Sequence, residues 1–203
     1  MSAPAALVCA KLLVPETAES KTQGEVKMDL PKTTANLIDA AATGAGDGLK
    51  LALNVGAMLL AFIALIALLN GCLSWLGGLF NHPELSMELI TGYIFSPVAF
   101  LMGVPWEDAF NVGTLLGKKL IVNEFVAYLD LQELSGKMSP RAVVISTYAL
   151  CGFANFSSIA IQVGGIGTIA PNRRQDLALL GVKSLIGGTL ACLMTACIAG
   201  LFI

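Results

Sequence analysis

One acidic side chain, Glu124, lies inside an apolar stretch of the sequence, LIVNEFVAYL, directly after Asn123. Placing a carboxylate at the middle of a membrane costs roughly 2.5–3.5 kcal/mol on insertion scales, so a residue of this kind usually has a function there. A charged carboxylate is a strong acceptor of hydrogen bonds from a substrate. The alternative is a structural tie to Lys118, to Lys119 or to a hydrogen-bond donor on a neighbouring helix, and the residue types alone leave both interpretations open.

A second polar group interrupts residues 142–172, a run of thirty-one residues without Asp, Glu, Lys or Arg. The run exceeds the ~20 residues that cross a bilayer, yet Asn155 and Ser158 lie near its middle with glycines on either side. Irregular backbone at membrane depth is tolerated only where it is buried in protein or lines a cavity, and secondary transporters bind substrates at such breaks. We therefore predict a discontinuous transmembrane helix that forms half of a binding site, unless the two side chains only satisfy backbone groups freed at the break.

Two apolar side chains, Phe153 and Ile159, flank the polar pair and could cover a planar ring, although ordinary packing would also explain them. No group of His, Cys, Asp and Glu has the spacing of a metal site, so we predict no metal and no cofactor. A membrane-embedded enzyme that used Glu124 with Ser158 or Cys151 would need a base or a metal that the sequence does not offer. We therefore expect a protein that is not an enzyme.

The composition indicates a membrane protein. The chain is 56% hydrophobic and 13% charged, with a mean hydropathy of +0.77, whereas an average soluble chain has ~25% charged residues. The net charge is −2 and no basic cluster stands out, so membrane lipids are expected partners and nucleic acid is not. These features predict an all-α, polytopic integral membrane protein.

The apolar runs and their polar flanks predict the order of the elements. Residues 1–15 resemble the end of a truncated transmembrane helix, so we expect the chain to be the C-terminal part of a longer protein. Residues 16–50 are predicted as a cytoplasmic linker and an interfacial helix, and residues 51–80 as a long transmembrane helix. The remaining unit, 81–203, is predicted to contain an embedded segment at 89–106, a re-entrant helical hairpin around 124, the broken helix at 142–172 and a final helix at 184–203.

Proline and glycine add detail to these elements. Pro97 predicts a break at the centre of the embedded segment, and Gly103, Val104 and Pro105 predict its end. The segment either spans the membrane or dips into it, and we favour an embedded segment that does not change sides. Gly113 and Gly117 are four residues apart, as in closely packed membrane helices. We expect this pair, and the pair Gly187 and Gly188, to need neighbours from outside the chain. A symporter binds substrate and coupling ion in one moving unit that is built from both halves of an inverted repeat, so we expect that the chain does not transport by itself.

Several longer strings resemble concentrative nucleoside transporters. They occur in the order found in that family, run through the whole chain and cover the C-terminal half of the family. The strings are KLLVPET (11–17), ALNVGAML (52–59), GVPWEDA (103–109), NEFVAY (123–128), ALCGFANFSSIAI (149–161) and GTIAPNRRQDLALLGVKSLIGGTL (167–190).

The resemblance implies the second half of an inverted repeat in a homotrimer of the plasma membrane, which in bacteria is the inner membrane. Members of the family import nucleosides such as uridine by an elevator-like movement that a sodium or proton gradient drives. By motif, Glu124, Asn155 and Ser158 would contact the ribose, and Phe153 and Ile159 would line the pocket.

The same resemblance implies roles for the other segments. Residues 51–80 would belong to the scaffold, and residues 81–203 to the transport domain that moves against it. The residues that read the base, and most ligands of the coupling ion, would lie in the missing N-terminal half. A truncated fragment that inserts into the membrane without transporting is the alternative.

Charged flanks predict the orientation. The positive-inside rule puts the lysine-rich flank before Leu51 in the cytoplasm and the loop at 82–88, which has no Lys or Arg, outside. We expect a cysteine placed at Thr22 to react with an impermeant thiol label from the cytoplasm, and one placed at Ser86 to react from outside. Labelling of oriented vesicles measures both, and the reversed pattern would overturn the orientation. Arg141 lies on the predicted outer side as an exception to the rule.

Overall fold

The computed structural model describes residues 2–17 and 34–203, and every regular element in these ranges is helical, as the sequence predicts. The helices are α1 (Ser2–Leu13), α2 (Leu37–Gly78), α3 (Met87–Leu101), α4 (Trp106–Ile121), α5 (Glu124–Leu134), α6 (Pro140–Leu150), α7 (Phe156–Ile169) and α8 (Arg174–Leu201), with a 3-10 turn at Pro171–Arg173. The predicted linker falls largely on residues 18–33, which lie outside the described residues.

Helix α2 is longer than predicted. It starts after Asn36, whose Oδ1 accepts a hydrogen bond from the backbone N–H of Asp39 at 2.9 Å, and it passes Lys50 and Leu51 without ending. Residues 37–78 contain no proline and are rich in Ala and Leu, so nothing interrupts the helical hydrogen bonds. The boundary predicted between an interfacial helix and a transmembrane helix is therefore not a helix end.

Helix α8 starts about ten residues earlier than the predicted final helix at 184–203, because the segment expected to be a polar loop is helical from Arg174 onward. Asp176 lies in the first turn, where the helix dipole favours a negative charge, and the sequence QDLALLGVK consists mostly of good helix formers. Within the described residues, Pro171–Leu201 is the one helical stretch that is long and apolar enough to cross a membrane by itself.

Helices α3 and α4 form a tightly packed antiparallel pair. A Cβ atom built on Gly113 would lie 2.4 Å from the carbonyl oxygen of Gly92, and one built on Gly117 would lie 2.8 Å from the carbonyl oxygen of Glu88. The close packing predicted at Gly113 and Gly117 is confirmed, but the neighbour is α3 of the same chain.

The second glycine pair also packs within the chain. A Cβ atom on Gly187 would lie 3.2 Å from Cδ1 of Leu13 in α1, and one on Gly188 would lie 3.2 Å from Cβ of Ala154. The expectation that both glycine pairs need neighbours from outside the chain is therefore wrong.

Pro97 does not end helix α3, so the break predicted there is wrong. Proline is tolerated in membrane helices where hydroxyl groups and neighbouring helices support the backbone. Here α3 packs closely against α4, where a Cβ atom on Gly113 would lie 2.7 Å from the backbone nitrogen of Ser96. The chain turns instead at Gly103, whose φ of 94° suits glycine.

The core lies where α4 and α5 pack against α6 and α8. Its fully buried side chains include Val112, Leu115, Ile145, Leu150 and Ala196.

Arg141 joins three segments at one end of this core. Its Nε donates to the carbonyl of Gly103 and its Nη2 to the carbonyl of Gly200, both at 2.8 Å, and its Nη1 donates to the carbonyl of Ile203. A cation at the C-terminal end of a helix is stabilised by the helix dipole. These contacts give a local reason for an arginine at a position that the positive-inside rule does not favour.

We expect Gly113→Ala to lower the melting temperature of the protein, because the added methyl group overlaps the backbone of α3. Overpacking of this kind costs about 1–3 kcal/mol. Gly44→Ala is the matched control, since a Cβ atom at this helical position meets no atom within 4 Å, and it should leave the melting temperature unchanged or slightly raised. Thermal unfolding followed by circular dichroism measures both variants. A wild-type melting temperature for Gly113→Ala would contradict the tight helix pair.

Candidate functional site

The helical hairpin turns at the predicted position. Helix α4 ends at Ile121, and Asn123 caps α5 with an extended backbone, its Oδ1 accepting a hydrogen bond from the N–H of Val126 at 2.9 Å. Glu124 is the first residue of α5 and is partly buried. An Asn followed by a helical stretch is a common N-terminal cap, which explains why the sequence turns here.

The broken helix is interrupted between α6 and α7, within the stretch that the sequence predicts. Helix α6 ends at Leu150, and Asn155 caps α7. The Oδ1 of Asn155 accepts from the backbone N–H of Ser158 at 2.7 Å, and the Oγ of Ser158 accepts from the backbone N–H of Asn155 at 3.2 Å. The two residues thus form a reciprocal capping box, which fixes the start of α7.

A hydrogen bond between two side chains joins the two interruptions. The Nδ2 of Asn155 donates to Oε2 of Glu124 at 2.9 Å. Asn155 is 0% exposed, and its Oδ1 also accepts a hydrogen bond from the hydroxyl of Ser157 at 2.7 Å. The amide nitrogen and the amide oxygen of Asn155 are therefore both hydrogen-bonded, and the nitrogen faces the carboxylate of Glu124.

Ser157 is a site residue that the sequence analysis does not single out. Its hydroxyl lies 3.5 Å from the carbonyl of Val122 at the hairpin tip, as well as bonding to Asn155. The signal that could have found it is its place beside Asn155 and Ser158 in the same polar interruption.

The apolar residues expected to line a pocket lie in different surroundings. Phe153 is 58% exposed, next to the break. Ile159 packs against α8, where a Cβ atom on Gly181 would lie 2.6 Å from its Cγ2. The structure thus brings Glu124, Asn155 and Ser158 together and directs Ile159 toward a helix neighbour.

The carboxylate of Glu124 is placed where helix dipoles favour it. It lies in the first turn of α5 and accepts from the cap residue of α7, and both positions are at the positive ends of helices. Glu124 forms no ion pair with lysine, because Lys118 pairs with Asp130 and Lys119 donates to a carbonyl. The bond from Asn155 is nevertheless a tie to a donor of a neighbouring helical segment, as the structural alternative expects. In the part of the chain that the structure describes, no three His, Cys, Asp or Glu side chains come together as a metal site.

Comparison with known proteins gives consistent matches over the chain. The family described as Na+ dependent nucleoside transporter C-terminus matches residues 1–200. The chain is 54% identical to the uncharacterized transporter YutK of Bacillus subtilis, over 100% of the chain and 50% of that protein. It is 48% identical to solute carrier family 28 member 3 of Mus musculus, over 99% of the chain and 31% of that protein. The chain spans half or less of the length of these relatives.

Solved structures have the same fold. CNTnw in an inward-facing substrate-bound state matches with 47% identity and a TM-score of 0.74, over 98% of this chain and 48% of that one. A CNTnw variant in its intermediate 2 state matches with 48% identity and a TM-score of 0.84, over 100% of this chain and 49% of that one.

These matches confirm the resemblance found in the motifs and the predicted fold, an all-helical integral membrane protein with a re-entrant hairpin and a discontinuous helix. The family model that matches is that of the C-terminal part of these transporters. The chain belongs to the Na+ dependent nucleoside transporter family and corresponds to the C-terminal half of its members.

Proposed function

We propose that this chain is the C-terminal, substrate-binding half of a cation-coupled nucleoside importer. The observation that carries the proposal is the hydrogen bond from Asn155 to Glu124, 2.9 Å long. It places a carboxylate and an amide from two interrupted helical segments at one point of the helical bundle. Ionisable residues at membrane depth are costly, and they mark substrate and ion pathways.

The pair suits the sugar of a nucleoside. The second carboxylate oxygen of Glu124, Oε1, makes no hydrogen bond to any residue that the structure describes, so it can accept one from a ribose hydroxyl. Hydrogen bonds to a charged acceptor are roughly twice as strong as neutral ones. We propose that the ribose binds at Glu124 and Asn155 beside Ser158, and that Phe153 contributes the apolar surface of the pocket together with the part of Ile159 that does not pack against α8.

The names of similar proteins support the substrate and the coupling. A relative in Mus musculus, 45% identical to this chain, is named Sodium/nucleoside cotransporter 1. The similar CNTnw structures are titled as inward-facing substrate-bound, intermediate and outward-facing states. We propose an elevator-like movement of residues 81–203 against a scaffold that includes residues 51–80.

The remaining parts of the proposal concern the whole transporter. It is a homotrimer of the plasma membrane, in bacteria the inner membrane, and it imports nucleosides such as uridine. The coupling ion is sodium or a proton. Because this chain covers half the length of its relatives, we assign the residues that read the base and most ligands of the ion to the rest of the transporter.

We expect Glu124→Gln, made in a full-length transporter that carries these residues, to weaken uridine binding by tens of fold and to reduce uptake accordingly. The variant keeps the shape of the side chain and loses the charge of the acceptor, and hydrogen bonds to charged groups are worth about 1.5–3 kcal/mol. Uptake of labelled uridine into vesicles and binding to the purified protein measure the effect.

Glu133→Gln is the matched control, because Glu133 lies in the same helix α5 with an exposed side chain. It should bind and transport like the wild type. Near-wild-type binding by Glu124→Gln would remove Glu124 from the site. Recovery of chemically altered uridine would instead favour the alternative of a membrane enzyme.

A further inference from the structure

Helix α6 ends at the break, where its last two residues, Ala149 and Leu150, are buried and Thr147 and Tyr148 are exposed. Its last four carbonyl groups have no partner inside the helix. Two of them accept hydrogen bonds from the backbone that follows. The N–H of Cys151 donates to Tyr148 at 3.3 Å, and the N–H of Gly152 donates to Leu150 at 2.8 Å.

The other two carbonyls accept hydrogen bonds from side chains of α4 and α5, the two helices of the hairpin. The hydroxyl of Tyr128 in α5 donates to the carbonyl of Thr147 at 2.8 Å. The Nζ of Lys119 in α4 donates to the carbonyl of Ala149 at 2.9 Å. All four terminal carbonyls of α6 therefore have partners, and one of the partners is charged.

Lys119 is almost completely buried, which is unusual for a lysine. It is 3% exposed, whereas the neighbouring Lys118 forms an ion pair with Asp130 and keeps 29% of its side chain exposed. In the described part of the chain, Lys119 has no carboxylate as an ion-pair partner. Its compensation is the carbonyl end of α6, where the helix dipole is negative. A buried charge without compensation would be too costly to keep.

The hairpin thus puts charges of opposite sign at the two ends of one break. Glu124 accepts from the cap residue at the start of α7, and Lys119 donates to the end of α6. In discontinuous transporter helices, the C-terminal ends of half-helices are positions where coupling cations are coordinated. The ammonium of Lys119 occupies such a position here.

We propose that Lys119 is a tethered cation that takes the place of a bound ion at the C-terminal end of α6. It acts as a positioning residue, because it fixes the end of α6 to the hairpin and so keeps Glu124 and Asn155 within hydrogen-bonding distance of each other. The coupling cation is then bound elsewhere in the transporter. The measurement of uridine binding described below rests on the proposed function, whereas the measurement of melting temperature does not.

The test is a chemical rescue of Lys119→Ala in a full-length transporter that carries these residues. We expect this variant to melt at a lower temperature and to bind uridine roughly ten-fold more weakly. Added n-propylammonium, which has the shape and charge of the deleted part of the side chain, should restore part of the melting temperature and part of the affinity for uridine. Added 1-propanol, which is similar in size and neutral, should restore neither.

Lys118→Ala is the matched control, since it removes the adjacent lysine. It should bind uridine like the wild type and should not respond to n-propylammonium. Lys119→Met keeps most of the length of the side chain without its charge, and it should lose affinity as Lys119→Ala does. Wild-type affinity in Lys119→Met, or equal rescue by 1-propanol and n-propylammonium, would show that Lys119 only fills space and would overturn the proposal.

Two further outcomes are also decisive. If Lys119→Ala unfolds during purification, recovery of folded protein in n-propylammonium but not in 1-propanol supports the tethered cation, and equal recovery contradicts it. If the proposed nucleoside function is wrong, neither the wild type nor any variant binds uridine. The melting temperature of Lys119→Ala still rises with n-propylammonium in that case, so the two failures are distinguishable.

Discussion

The peptide groups left unpaired at the break between α6 and α7 are the constraint on which the rest of the structure depends. In a membrane no water is available to bind them, and each unpaired group costs several kcal/mol. The α6 side of the break is closed by Lys119 and Tyr128 from the hairpin, together with the backbone. The α7 side is capped by Asn155 and Ser158. The hairpin therefore supplies hydrogen bonds that the peptide groups at the break need.

Helix α4 is held against α6 at both of its ends. Near its start, the buried Asp108 accepts from the N–H of Ser139 at 3.0 Å and from its hydroxyl at 2.7 Å. Near its end, Lys119 donates to Ala149. Two charged anchors at opposite ends set the relative height of the helices, and this height brings the tip of the hairpin level with the break. The packing of α3 along the glycine face of α4 supports the same helix from its other side.

The sequence predicts the parts of this arrangement that leave a local signal. A charged residue in an apolar stretch identified Glu124, and a polar interruption in an uncharged run identified Asn155. Lys118 and Lys119 could not be distinguished, because neighbours on a helix differ by about 100° in direction and the direction of each depends on tertiary packing. The same limit applies to Ile159, which follows Asn155 by one turn yet packs against α8.

Helix ends were harder to predict than helix positions, for a physical reason. The start of α8 contains charged and amide residues that suit a loop as well as a helix, and apolar periodicity does not mark it. Its helical state follows from continuity with the apolar segment behind it, since adding a residue to an existing helix is far easier than nucleating one. The start of α2 lies in the segment predicted as an interfacial helix, and only the boundary predicted at residue 50 is absent. Pro97 is the converse case, where a residue that usually ends a helix lies inside α3, which packs closely against α4.

The contacts at the break also bear on how the proposed transport domain would move. Separating the hairpin from the broken helix would remove the bond from Lys119 to Ala149 and the bond from Asn155 to Glu124 together. Each hydrogen bond to a charged group is worth about 1.5–3 kcal/mol, and leaving the buried lysine unpaired would add a further cost. The same separation would also break the hydrogen bond from the hydroxyl of Tyr128 to the carbonyl of Thr147. A change of state that keeps all three bonds costs less, which favours movement of α4 to α7 as one rigid body over opening of the hairpin alone.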